Sequence, residues 1–152
     1  MSVTHSTFVI ERTYPKPPAR VFAAFSDKAK KQRWFAEGEN HSPEQYELDF
    51  REGGRERSFS RFKEGSPFPG VTLTHEGAFL KIVPDQLIVD AYTMKLGDHT
   101  MSASLLTVEF HPHEGGTRLV LTHQGAYFEP TDGPQRREAG WQKLLDKAAE
   151  AM

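Results

Sequence analysis

Residues 132–152 read DGPQRREAGWQKLLDKAAEAM. Asp132 is placed to cap a helix opening at Gly133-Pro134-Gln135, because an Asp side chain accepts from the first free backbone N–H groups. Trp141, Leu144, Leu145, Ala148 and Met152 then recur at helical spacing. The stripe is long enough to be buried across a sheet. A two-sheet sandwich leaves no role for a terminal helix with so wide an apolar face. The helix is therefore expected to lie across one curved sheet.

The preceding sequence supplies that sheet. From Tyr46 the period is two, with Tyr46, Leu48 and Phe50 on one face and Glu47, Asp49 and Arg51 on the other. Gly53-Gly54 reads as a hairpin turn or bulge, and residues 54–63 as the returning strand. Residues 64–70, EGSPFPG, form a loop by composition. Strands are expected over 71–83, 87–94, 101–110 and 117–124, separated by Pro84-Asp85, Gly97-Asp98 and Glu114-Gly115-Gly116. Short turns between successive strands predict an antiparallel meander.

Thr7 to Arg12 alternates with Phe8 and Ile10 on one face, which predicts a first strand. Tyr14-Pro15-Lys16-Pro17-Pro18 stops it, since proline cannot donate to a ladder. Pro18 suits the first turn of a helix to about Phe25, with Val21, Phe22 and Phe25 on its apolar face. Ser26 or Asp27 can cap a second helix through Trp34-Phe35. Lys28, Lys30, Lys31 and Arg33 on that helix read as a solvated face, with a docking patch as the alternative. The class is thus α+β, with about seven strands, two short helices after the first, and a long C-terminal helix.

The 152 residues fit one domain spanning 1–152. With no cysteine, thiol nucleophiles, Cys-ligated zinc and disulfides are excluded. Nineteen Lys and Arg against 21 Asp and Glu give a charge of -2, which offers no electrostatic case for nucleic acid. No segment approaches the ~20 apolar residues of a membrane span. No signal peptide is read at the start, and a cytoplasmic location is expected.

A helix laid over a curled sheet encloses a space. Gly77, Ala78, Ala91, Ala103, Ala148 and Ala149 are small residues in segments expected to border it. The walls of a ligand cavity there are expected to be Phe50, Phe79, Leu106, Val108, His123, Trp141, Leu145 and Ala148; the alternative is a core in which large side chains such as Phe79, Phe110 and Trp141 fill the space. His123 is placed at the cavity mouth, at the end of the last strand. It can orient a polar ligand or act as acid or base, against a structural role bonded to a neighbouring loop. Asp90 and Tyr92 share a strand face. With His75 or Glu76 they form a candidate acid–base set for enolisation or cyclisation. His111 and His113 make half a metal site with no third ligand, so no metal is expected. Arg55, Arg57 and Arg61 alternate with Glu56, Ser58 and Ser60. Outward arginines paired with Glu47 and Asp49 are expected; inward ones could hold a carboxylate or phosphate. No nucleophile elbow, phosphate loop or dinucleotide fingerprint is present, and no cofactor is expected.

In order and spacing, several segments resemble one family. Residues 19–25, ARVFAAF, precede Trp34-Phe35; residues 48–54, LDFREGG, carry an Asp-x-Arg-x-Gly-Gly run. Ile82-Val83-Pro84-Asp85 with Leu87-Ile88-Val89, residues 106–110, Gly116-Thr117-Arg118-Leu119, residues 122–125 and Gly140-Trp141 complete the pattern. Together they are similar to the activator-of-heat-shock-protein-90-ATPase-like group of the START-like superfamily. The resemblance implies the helix-grip fold. That superfamily also holds lipid-transfer domains, birch-pollen-allergen-like proteins, polyketide cyclases and ring-hydroxylase subunits, so fold alone does not carry function. The leading expectation is a domain binding a small apolar or amphipathic molecule, without fixed chemistry. A cyclase- or isomerase-type enzyme resting on His123, Asp90 and Tyr92 is second. A co-chaperone-like interaction protein, docking through the basic second helix, is third. Pairing of two copies is compatible with all three.

Overall fold

The computed structural model describes residues 1–37, 41–66, 68–128 and 133–152, with the side chains of 41–44 left aside. The expected cap Asp132 and loop residue Pro67 lie outside the described residues. Strand β1 covers Val3–Tyr14, followed by helices α1, Pro18–Ser26, and α2, Lys28–Lys31. Strands β2, His41–Leu48, β3, Arg55–Phe62, β4, Thr72–Val83, and β5, Leu87–Leu96, come next. Strands β6, His99–His113, and β7, Gly116–Phe128, precede helix α3, Gly133–Ala148, which ends in a tight turn over Ala149–Ala151.

All neighbouring strands are antiparallel, in the order β1-β7-β6-β5-β4-β3-β2. The first strand therefore pairs with the last, and β1 and β2 form opposite edges. The segment holding α1 and α2 carries the chain from one edge to the other. Pro18 opens α1, where its missing N–H goes unneeded. Asp27 caps α2 by accepting from the Lys30 backbone N–H at 3.1 Å. Over Gln32–Ala36 the helix widens, so that the Glu37 N–H reaches the Gln32 carbonyl at 3.2 Å. That widening accompanies a fully buried Trp34, whose indole N–H donates to the Ala24 carbonyl at 2.8 Å. The strands run longer than periodicity predicts. β7 continues to Phe128, so His123 lies inside it and not at its end.

Helix α3 lies on the concave face. Its inner stripe is Arg137, Trp141, Leu145 and Ala148, all buried, at spacings of four, four and three. Leu144 and Met152, expected on the stripe, are only half-buried. The C-terminal half of the helix is fastened to β1. Arg12 reaches Asp146 Oδ1 at 2.5 Å and Gln142 Oε1 at 2.6 Å, and the Tyr14 hydroxyl donates to the Leu145 carbonyl at 3.1 Å. Burial pushes the Tyr14 phenol up to about 12, so it stays a donor across the physiological range.

The core is continuous from α1 to α3. Phe22 and Phe25 meet Phe110 edge-on at 5.2 and 5.4 Å. Leu119, Leu121, Val108 and Leu145 are essentially inaccessible. Among the described residues no helix is long and apolar enough to cross a membrane.

Candidate functional site

The concave face has two ends of different chemistry. Toward α1 it is apolar, with Phe79, Ile88, Val108 and Phe110. Toward the start of α3 it is polar and still buried, with His75, Tyr92, Ser102, Ser104, His123 and Arg137. Pleating explains the convergence. Tyr92 pairs with Ser104 across β5–β6, and Ser104 with Gly125 across β6–β7, so one row carries their side chains inward.

Glycine makes room in that row. A Cβ on Gly77, the β4 partner of Tyr92, would sit 2.7 Å from the Tyr92 Cβ. One on Gly125 would sit 2.9 Å from the Tyr127 ring. At Gly77 the Ala91 carbonyl oxygen is closer still, at 2.6 Å, so the neighbouring strand itself excludes a side chain there, whereas at Gly125 the Tyr127 ring takes the space.

The Tyr92 hydroxyl is the hub. It lies 2.8 Å from His123 Nε2, 3.3 Å from Arg137 Nη1 and 3.4 Å from Trp141 Nε1. Arginine and tryptophan can only donate, so the Tyr92 oxygen accepts from both and its own proton goes to His123 Nε2. His123 is then neutral with its proton on Nδ1, a buried atom without a hydrogen-bond partner among the described residues. Burial, reinforced by the Arg137 charge, lowers the His123 imidazole to about 4 and holds it neutral. Phe8 stacks on the ring at 4.7 Å. Arg137 also donates from Nη2 to Ser102 Oγ at 2.7 Å. Burial raises the Tyr92 phenol, with Arg137 pulling against it.

A second cluster adjoins the first through His75, which stacks on Tyr92 at 4.3 Å. Burial lowers the His75 imidazole to about 4, and its Nδ1 has no hydrogen-bond partner among the described residues. Beyond it, Lys31 Nζ lies 2.7 and 2.9 Å from the two oxygens of Glu56, and the Tyr46 hydroxyl donates to Glu56 at 2.5 Å. Burial alone would raise the Glu56 carboxyl, but the Lys31 charge, followed by His75 and these hydrogen bonds, brings it below its ordinary value. Burial raises Asp90, on the same face as Tyr92, to about 7.

Several expectations are corrected here. Lys31 is not part of a solvated basic face: it is buried against Glu56, leaving Lys28, Lys30 and Arg33 exposed. On β3 the arginines point outward, as expected, with Arg57 opposite Glu47 and 3.7 Å from Glu76. Asp49 instead pairs locally with Arg51 at 2.9 Å. The inward face of β3 is Glu56, Ser58 and Ser60. Ala78, Ala91 and Ala103 do not face the interior. They lie on the outer face, around a hollow of about 360 Å3 shared with Arg55, Glu76 and Thr93. Ala149 is exposed. A second hollow, of about 460 Å3, lies where Pro18 meets the β4–β5 turn and His111. Of the proposed acid–base set, Tyr92, Asp90 and His75 face inward with His123, whereas Glu76 faces out.

Phe79, Leu106, Val108, His123, Trp141, Leu145 and Ala148 are all buried on the interior face. Phe50 lies past the end of β2 and packs edge-on against Phe79 at 5.0 Å. Rings meet between α3 and the sheet: Phe35 is 4.9 Å from His75 and 6.1 Å from Trp141. His111 pairs with Glu109 at 3.2 Å, and no group of three His, Asp or Glu suited to a metal occurs among the described residues. Sequence reasoning missed Arg137, Ser102 and the Lys31–Glu56 pair. Arg137 was detectable, because it sits four residues before Trp141 on the apolar stripe.

No curated protein matches the chain. Among solved structures, it is similar to the Mll3558 protein from Rhizobium loti, at 47% identity over 100% of both chains with a TM-score of 0.87. It is also similar to a protein from Rhizobium leguminosarum, at 37% identity over 99% of this chain and 95% of that one, TM-score 0.91. An AHSA1-like protein from Aeromonas hydrophila shares the fold at 22% identity, over 96% and 91% of the two chains, TM-score 0.69. Residues 15–152 match the family described as Activator of Hsp90 ATPase homolog 1-like protein, and with its START-like helix-grip architecture the chain belongs to that family.

Proposed function

We propose that the protein binds a small amphipathic molecule between α3 and the concave face of the sheet, its polar end at the Tyr92 hub. The supporting observation is the buried polar cluster itself. His75 Nδ1, Ser104 Oγ and His123 Nδ1 are buried without hydrogen-bond partners among the described residues. Each such atom costs ~1–3 kcal/mol in a core that serves packing alone. A bound head group offering donors and acceptors removes that cost. Phe79, Leu106, Val108, Leu145 and Ala148 supply the apolar wall for the rest of the molecule. Entry requires the rings of Phe35, Trp141 and His75 to shift, since they meet over the polar end.

The Tyr92–His123 contact supports a second reading, proton transfer to or from a bound carbonyl compound in a cyclase- or isomerase-type reaction. The family description supports a third, action on a chaperone, with Lys28, Lys30 and Arg33 as its exposed basic group. Native mass spectrometry of the protein isolated from its own cells separates binding from docking. A noncovalent adduct on the order of a few hundred daltons supports binding. A stoichiometric chaperone complex supports docking. A bare protein that takes up neither decanoate nor decanol contradicts the binding reading.

A further inference from the structure

The two guanidinium nitrogens of Arg137 that face the sheet donate to neutral hydroxyls, Tyr92 Oη at 3.3 Å and Ser102 Oγ at 2.7 Å. The side chain is buried, 5.5 Å from the Tyr127 ring centroid and 5.9 Å from that of Tyr92. A guanidinium tied at both terminal nitrogens presents its planar fork in a fixed orientation. We infer that the polar end of the interior recognises a carboxylate, so that the ligand is a monocarboxylic acid with an apolar tail; this rests on the reading of that interior as a binding site.

A carboxylate is a stronger acceptor than either hydroxyl and matches the fork with two parallel bonds. On its arrival the Ser102 hydroxyl turns from an acceptor of Arg137 into a donor to the ligand, the Tyr92 proton stays with His123 Nε2, and Trp141 Nε1, 3.4 Å from the Tyr92 oxygen, adds a further donor. The Arg137 charge pulls downward on His75, Tyr92 and His123, against burial in the case of Tyr92. Both imidazoles stay neutral there, and the His123 Nδ1–H adds a donor without competing charge. From Arg137 the inner stripe of α3 runs through Trp141 and Leu145 to Ala148. That is about 16 Å along the helix, enough to line a medium-length alkyl chain.

The test is calorimetric titration of the full chain near neutral pH with decanoic acid and with decanol, which share a tail and differ in head group. Wild type is expected to bind decanoate about tenfold or more tightly than decanol. Arg137→Gln should bring decanoate down to the affinity of decanol and leave decanol unchanged. Arg137→Lys, which keeps the charge but not the fork, should retain an intermediate preference. It also serves if the glutamine variant does not fold. Equal affinity for both probes in wild type overturns the inference, and so does an equal loss of both in the variants. Binding of neither probe overturns the underlying binding reading as well.

Discussion

The Tyr92 hydroxyl and His123 Nε2 lie 2.8 Å apart on the same inward face of the sheet, joined across β5 and β7 with β6 between them. Because Arg137 and Trp141 also point donors at that hydroxyl, its proton is committed to the imidazole, and His123 is held as one neutral tautomer.

Removing the hub should therefore cost more than one ordinary contact. Tyr92→Phe leaves two donors and one acceptor buried without their shared partner, and should lower stability by ~1–3 kcal/mol in denaturant or thermal melts. The ring is retained, so stacking with His75 is unaffected. A variant as stable as wild type would show that the three contacts add nothing.

The Lys31–Glu56 pair should behave as a unit. Lys31→Met leaves the Glu56 carboxylate buried without its cation and should cost ~3–5 kcal/mol. The double variant Lys31→Met, Glu56→Gln should recover most of that loss, whereas Lys28→Met and Lys30→Met should be near neutral. Additive losses in the double variant would contradict a coupled pair.

Acid sensitivity follows from three buried groups. His75 and His123 lie at about 4 in the fold against 6.5 when exposed, so between these values the unfolded chain binds protons that the folded chain refuses. Asp90 is raised from 3.8 to about 7, so over the same range the folded chain holds one proton that the unfolded chain releases. The net is one proton in favour of unfolding. Stability should then fall by ~1.4 kcal/mol per pH unit as pH drops from about 6.5 to about 4. Glu56, lowered in the fold, adds to the loss as pH falls below its ordinary value toward its folded one. Asp90→Asn removes the opposing proton, so its acid slope should be about twice as steep. Denaturant melts across this range give both slopes. Equal slopes would mean that Asp90 is not protonated in the fold.

Much of the architecture was legible because its signals are local. The alternation of Phe8 and Ile10, the turns at Gly97 and Glu114-Gly115, and the stripe at Trp141, Leu145 and Ala148 each report their element from a few neighbouring residues. The interior chemistry was less legible because it is built from distant strands. Nothing near Lys31 distinguishes it from Lys30. Glu56, 25 residues away on β3, selects it for burial. Likewise β3 carries polar residues on both faces, Arg55-Arg57 on one and Glu56-Ser58-Ser60 on the other, so periodicity could not show that the serine face is the buried one. Ala78, Ala91 and Ala103 were assigned to the wrong face for the same reason: small residues carry no hydrophobic pattern strong enough to set a strand's orientation.

The two tryptophans provide the most direct test of the interior as a binding site. Trp141 Nε1 points at the Tyr92 hydroxyl, whereas Trp34 Nε1 is bound to the Ala24 carbonyl beneath α1. In a nitrogen–proton correlation spectrum each indole gives its own signal. On titration with decanoate, the Trp141 indole signal should shift progressively to saturation while that of Trp34 stays in place. Two unmoved signals, or two that move alike, would contradict a ligand seated at Tyr92.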